Sequence, residues 1–246
     1  NYVGGDIVSG LLTVDLHKSE QPSMFFDIGT NGEIALWKDG KLYVTSTAAG
    51  PAFEGAGISC GSLAIPGAVC AVRAYEGSLR CETIDNKPAV GLCGTGLIDA
   101  VAALLKLGSL EESGFMEEDA PLGDTGLTLT RSDIRQVQLA KAAIRAGIDT
   151  LLCEAGVGYE DIDTVYLAGG FGSYLHPESC ADIGMIPREL ISKLRVLGNA
   201  AGQGASLMLL STEELAAAED IAKSATTLEL SSSMVFMEKY VDSMMF

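Results

Sequence analysis

Histidine is nearly missing from this chain: His17 and His176 are the only two in 246 residues. That leaves too little imidazole for a histidine-based metal site or a Ser/His/Asp triad. Six cysteines are scattered (Cys60, Cys70, Cys81, Cys93, Cys153, Cys180) without any C-x-x-C spacing. A zinc or iron–sulfur site within the chain is therefore not expected, and small buried thiols in a reduced cytoplasm fit the pattern. No run of about 18 uncharged apolar residues occurs, so no membrane span is expected. The opening NYVGGDIV has no basic n-region, so no signal peptide is read there. It also has no initiator Met, and the chain reads as a piece of something longer. Basic residues are scarce as well, 16 against 33 acidic, for a formal charge of −17. A surface of that sign repels nucleic acid and anionic membrane, so neither is an expected partner.

What is present is a chain that is 48% hydrophobic, enough for a buried core in one large domain or two small ones. It is organised around Met24–Leu36, MFFDIGTNGEIAL. An apolar run ends in Asp27, Asp-Ile-Gly-Thr follows, and Asn31-Gly32 precedes a second strand-like run. Asn-Gly between two such runs predicts a two-residue type I′ turn, which needs φ > 0 at both central positions. Gly29 lets backbone approach a ligand, Thr30 and Asn31 offer side-chain donors, and successive N–H groups form an anion-binding nest. Asp27 is placed to hold a water on a phosphate-bound Mg²⁺. An ordinary hairpin whose Asp caps its own turn explains the same residues.

Elsewhere the pattern predicts a short helix over residues 4–16 and a third strand over Lys41–Thr47 after an Asp39-Gly40 turn. A glycine-rich loop with a short helix near Glu54–Cys60 follows, then strands over Ala68–Tyr75 and Leu79–Ile84. Gly91, Gly94 and Gly96 lead into a helix ending at Gly108, with Thr95 between the last two. This is the layout of an anion-binding helix N-terminus, or of a tight strand-to-helix turn. Thr130-x-x-Asp133 opens a long helix as an incomplete capping box, because Asp is shorter than the usual Glu. The strand Asp163–Ala168 runs into Gly169-Gly170-Phe171-Gly172, where bare backbone accepts a flat ring or a phosphate. Pro177 and Pro187 each open a short helix, and Arg195–Leu197 reads as a brief strand. A small-residue helix over Gly198–Leu210, a helix around Glu213–Lys223, a strand Thr227–Leu230 and an amphipathic end complete the chain.

DIGTNGE, LAGGFGSYL and GNAAGQGA, in that order, resemble one lobe of the actin-like ATPase fold. The opening YVGGDIVSG, the loop GPAFEGAGISCG and GLCGTGLIDAV are similar to one branch of it: the reductive activators of corrinoid-dependent methyltransferase systems, ATP-dependent iron–sulfur proteins. The resemblance implies an α/β, ribonuclease H-like lobe with a mixed sheet, an N-terminal antiparallel meander and flanking helices. It places residues 1–22 as helix and linker from a preceding lobe and residues 23–246 as the C-terminal lobe. It implies that Asp27 positions Mg²⁺ through water, that Gly29, Thr30, Asn31 and Gly32 grip the phosphates of ATP, and that Gly169, Gly170, Phe171 and Gly172 flank the adenosine. Gly94, Thr95 and Gly96 would line the same cleft. Phe171 serves equally as core, and Glu33 either orients a water or faces solvent. The small-residue helix would pack at the hinge between lobes.

The implied activity is return of a Co(II) corrinoid protein to Co(I), with that corrinoid protein as partner, in the cytoplasm. Self-association into a homodimer is compatible with it. The chain departs from the family in having no four-Cys motif, so a [2Fe–2S] cluster is expected only in an absent N-terminal domain. It has one phosphate hairpin where the two-lobed fold needs two, so the isolated chain is expected to be inactive. Two alternatives stand beside this reading. One is another enzyme of the fold, a kinase or a dehydratase activase; the other is a non-catalytic docking module for a corrinoid protein.

Overall fold

A computed structural model describes residues 4–169 and 175–246. The chain opens with α1 (Gly5–Thr13), followed by a 3₁₀ turn, Leu16–Lys18. A meander comes next: β1 (Ser23–Ile28), β2 (Gly32–Lys38) and β3 (Lys41–Thr47). Asp39 and Gly40 join β2 to β3 with φ of 49° and 77°, as a two-residue I′ turn requires. The glycine-rich loop holds a 3₁₀ turn at Pro51–Glu54, earlier than the predicted Glu54–Cys60. Pro51 at the first helical position sets that start, and Gly55 with φ of 82° stops it. β4 (Ala68–Tyr75) and β5 (Ser78–Thr83) form a second hairpin, and β6 (Gly91–Leu92) feeds α2 (Gly94–Leu107), which Gly108 closes with φ of 69°.

After β7 (Ala120–Pro121) and β8 (Thr128–Leu129) comes α3 (Arg131–Ala155), 25 residues long. Its capping box is complete, against expectation. Thr130 N–H donates to Asp133 Oδ2 at 2.8 Å, and Asp133 N–H donates to Thr130 Oγ1 at 3.3 Å. Asp133 is buried, and Ser59 N–H also donates to its Oδ1 at 2.8 Å, so the short side chain is held where a Glu would have to reach. Next come β9 (Thr164–Gly169), α4 (Pro177–Asp182), α5 (Arg188–Ile191), β10 (Leu194–Gly198), α6 (Ala200–Leu210), α7 (Thr212–Ser224), β11 (Ala225–Thr227) and α8 (Met234–Asp242). The last strand lies before the predicted Thr227–Leu230, because β11 pairs with Leu42–Val44 of β3 and Leu230 is already in a 3₁₀ turn. No helix among the described residues is long and apolar enough to cross a membrane.

The chain divides into two compact units, a division not read from the sequence. The first takes in Asn1–Thr47, Ala146–Ser173 and Glu189–Lys239. Its sheet has the order β10-β9-β1-β2-β3-β11, with only β2 antiparallel to its neighbours. That is the ribonuclease H-like order with an added edge strand. One face carries Phe25, Ala35, Leu42, Val44 and Ala168 under α1, α6 and α7. Two glycines permit this approach: a Cβ on Gly10 would lie 2.4 Å from the Phe25 ring, and one on Gly204 would lie 1.9 Å from Ser9 O. Met24, Phe26 and Ile34, whose side chains point to the opposite face, are also fully buried. Burial of Phe25 and Phe26 together stabilises by roughly 3–6 kcal/mol.

The second unit takes in Ala48–Arg145, Tyr174–Arg188 and Tyr240–Phe246. It holds the sheet β5-β4-β6, with α2 packed on β4 over Ala68, Cys70, Ile84 and Cys93.

Candidate functional site

In the first unit, β1 pairs with β2 on one side and with β9 in parallel on the other. Asp27 therefore faces Glu33 across one edge and Ala168 across the other, and Ile28 faces Gly32 and Gly169. The Asp-Ile-Gly-Thr loop, the Gly169 end of β9 and the Gly198 end of β10 thus stand side by side at the carboxyl ends of parallel strands. Open α/β sheets bind ligands there.

The turn differs from expectation. Gly32 is not a turn residue. It opens β2, pairs with both Ile28 and Thr47, and accepts a hydrogen bond from Thr47 Oγ1 at 3.3 Å. The loop is the three residues Gly29, Thr30 and Asn31, with Gly29 N–H donating to Asn31 O at 3.0 Å. A turn centred on Asn31-Gly32 would have paired Thr30 with Glu33; the register fixed by the buried Met24, Phe25 and Phe26 pairs Asp27 with Glu33 instead. Thr30 and Asn31 are exposed at the tip.

Gly169 is held at φ of 109°. A Cβ there would meet Ile28 O at 2.4 Å and Asp27 Oδ1 at 3.0 Å. Only glycine leaves that space beside the Asp27 carboxylate open. Gly170, Phe171 and Gly172 lie outside the described residues. Gly198, opposite Ala168, has φ of 72°, and Asn199 caps α6 with Oδ1 accepting from Gly202 N–H at 2.8 Å.

A third carboxylate joins Asp27 and Glu33 that sequence reading missed. Gly10 of α1 rests on Phe25, and Asp6 is one helical turn toward the N-terminus, while Asp27 is two residues further along β1 on the same face. Asp6 lies close enough to Asp27 for its charge to act on that carboxyl. Burial pushes the Asp27 carboxyl above its ordinary value, and the Asp6 charge adds to it. Glu33 is raised in the same way, by burial first and by Asp6 and Asp27 further, against the Ser46 Oγ–H donated to its Oε1 at 3.1 Å. The sequence signal was the helix phase: Asp6 and Gly10 share a face of α1.

Gly94, Thr95 and Gly96 are buried in the second unit. A Cβ on Gly94 would lie 1.9 Å from Phe53 O and one on Gly96 2.3 Å from Val69 O, while Thr95 Oγ1 donates to Cys70 O at 2.9 Å. Close packing of α2 against the Pro51–Glu54 turn accounts for Gly94, and its packing against β4 accounts for Thr95 and Gly96.

Among the described residues, no three His, Cys, Asp or Glu side chains are close enough to hold a metal ion directly. Raised carboxylates beside a glycine-lined space fit a hydrated cation with its phosphates. They offer no ligand set for an iron–sulfur cluster.

The corrinoid activation enzyme RamQ of Eubacterium limosum is 34% identical over 274 residues, covering 100% of this chain and 46% of the relative. The Co(II) methylated amine-specific corrinoid protein reductase of Methanosarcina barkeri is 32% identical, covering 97% of this chain and 48% of the relative. A solved structure, a reductive activator for corrinoid, iron–sulfur protein, superposes with a TM-score of 0.91 at 37% identity, over 100% of this chain and 43% of that one. The chain thus spans about half the length of the relatives it matches. Residues 21–246 match the family described as the C-terminal domain of RACo, the ASKHA domain. Fold and match agree on an actin-like ATPase lobe, and this chain belongs to that family.

Proposed function

We propose that this chain is the ATP-binding part of a reductive activator that returns Co(II) corrinoid proteins to Co(I) in methyltransferase systems. One observation carries the reading: the Asp27 carboxylate, the Gly29–Asn31 loop and the open space at Gly169 converge at the ends of β1 and β9. Asp27 would hold a hydrated Mg²⁺, with Asp6 and Glu33 adding negative charge around it. Mg²⁺, when bound, neutralises phosphate charge. Gly29, Thr30 and Asn31 would bind phosphate, and Gly169 with the residues after it would accept the adenosine. Binding or hydrolysis of ATP would then bias the activator and its corrinoid partner between two conformations, which is how nucleotide energy reaches an unfavourable electron transfer. The cytoplasm is the compartment this chemistry fits. Residues 1–22 would join the lobe to the part that precedes it.

In the full-length protein, Asp27→Ala should abolish ATP-dependent Co(II) reduction while the corrinoid partner still binds. Retained reduction would remove the phosphate-loop assignment. For the chain alone, calorimetry with ATP and Mg²⁺ should show weak binding or none, and submicromolar affinity would show that it carries a complete site.

A further inference from the structure

The second unit contains a line of three polar side chains that the proposed nucleotide chemistry does not use. β6 is only two residues long and pairs with β4 no further than Val69. Beyond it, the buried N–H of Val72 is taken by a side chain: Asp99 Oδ2, from α2, accepts it at 3.2 Å. Asp99 is 2% exposed, and its other oxygen has no partner among the described residues. The same Oδ2 lies 2.7 Å from His176 Nδ1, and His176 Nε2 lies 2.9 Å from Arg73 Nη2.

The hydrogen-bond roles follow from the two ends. A carboxylate only accepts and a guanidinium only donates, so His176 carries its proton on Nδ1 and presents a lone pair to Arg73. A second proton on the ring turns the Arg73 contact into donor against donor. The Asp99 contact becomes a buried ion pair with the imidazolium. We infer that Asp99, His176 and Arg73 form a proton-operated latch, in which protonation of His176 at Nε2 releases Arg73 while tightening the ring onto Asp99.

The surrounding charges leave the latch to these three groups. On α4, Glu178 pairs with Arg188, Asp182 pairs with Lys106 and Arg188, and Cys180 is buried behind Asp99. On β5, Arg80 faces Arg73 in register but leans over the Tyr75 ring, 5.9 Å from its centre. Arg73 makes no ion pair among the described residues. Arg73 and Arg80 stand in register as two exposed guanidiniums on a strongly acidic chain, and the latch holds one of them until His176 takes its second proton.

The chain has two histidines, so long-range ¹H–¹⁵N spectra of the labelled protein resolve His176 after one control variant, His17→Gln. The Nδ1–H tautomer is expected at high pH. Arg73→Met should shift the His176 Nε2 resonance as its hydrogen-bond donor is lost while the Nδ1–H tautomer stays in place, and Asp99→Asn should release that tautomer. Arg73 is exposed, so its variant is readable even where Asp99→Asn does not fold. A dominant Nε2–H tautomer, or a His176 Nε2 resonance that Arg73→Met leaves in place, overturns the latch.

Discussion

Replacing Lys141 by Met should make the protein more stable at neutral pH. Lys141 lies on α3 in the second unit, 1% exposed, with Nζ donating to Met245 O and lying 5.3 Å from the centre of the Phe246 ring. No carboxylate pairs with it among the described residues. Burial pushes its ammonium from 10.5 down to about 8, and Arg145, one turn further along the helix, adds to the shift. The gap corresponds to roughly 3 kcal/mol. Below about pH 8 both folded and unfolded chains hold the proton, and the full cost is present. Between about 8 and 10.5 the unfolded chain holds more protons than the folded one, so stability rises with pH. Met removes that cost but loses a hydrogen bond worth about 1 kcal/mol and a cation–π contact worth about 0.5–1 kcal/mol. The net gain at pH 7 is about 1 kcal/mol. Urea unfolding of both proteins at pH 7 and pH 10 measures it, because titrations common to the two cancel in the difference. Wild type should gain about 2 kcal/mol on the variant between these pH values. A difference that stays constant refutes the account of a desolvated ammonium.

Gly204→Ala should lower stability by about 3 kcal/mol, because its Cβ falls 1.9 Å from Ser9 O and α1 must move off α6; an unchanged melting temperature would show that this helix crossing gives way freely. Asp6→Asn should bring both the Asp27 and the Glu33 carboxyl titrations down toward ordinary values, read by ¹³C carboxyl NMR. Part of each elevation should persist, since burial is the larger cause. Raised carboxyls cost stability above their unfolded pKa values, so the same variant should be slightly more stable at pH 7 and lose that advantage as pH falls below the carboxylate range.

Local pattern made much of this fold readable before any coordinates. β3 and β4 have their predicted bounds because alternation and Asp-Gly or Glu-Gly turns mark strand ends by chemistry that acts within a few residues. The positions of Asp27 and Gly169 were likewise legible, Asp27 one residue before the end of β1 and Gly169 closing β9. The Asn31-Gly32 turn failed because the same dipeptide fits two registers, and the choice is made by the fit of the whole strand into the core. β11 was misplaced because its register is set by β3, about 180 residues away. The capping box at Asp133 closes with its other carboxylate oxygen held by Ser59, which no local window contains. Asp6 was missed for a related reason: nothing in residues 4–16 says that Gly10 will rest on Phe25. The two units escaped notice because each is assembled from three separated stretches of chain.

Asp6, Asp27 and Glu33 hold their negative charges against one another, and this has a bearing on what can enter. A polyphosphate arriving bare would add its own charge to three carboxylates already in conflict. The same polyphosphate carrying a divalent cation would relieve that conflict on arrival. The arrangement therefore works as a filter on speciation: with the nucleotide assignment above, metal-free ATP should be excluded, and free magnesium concentration, more than total nucleotide, should set how often the lobe is occupied.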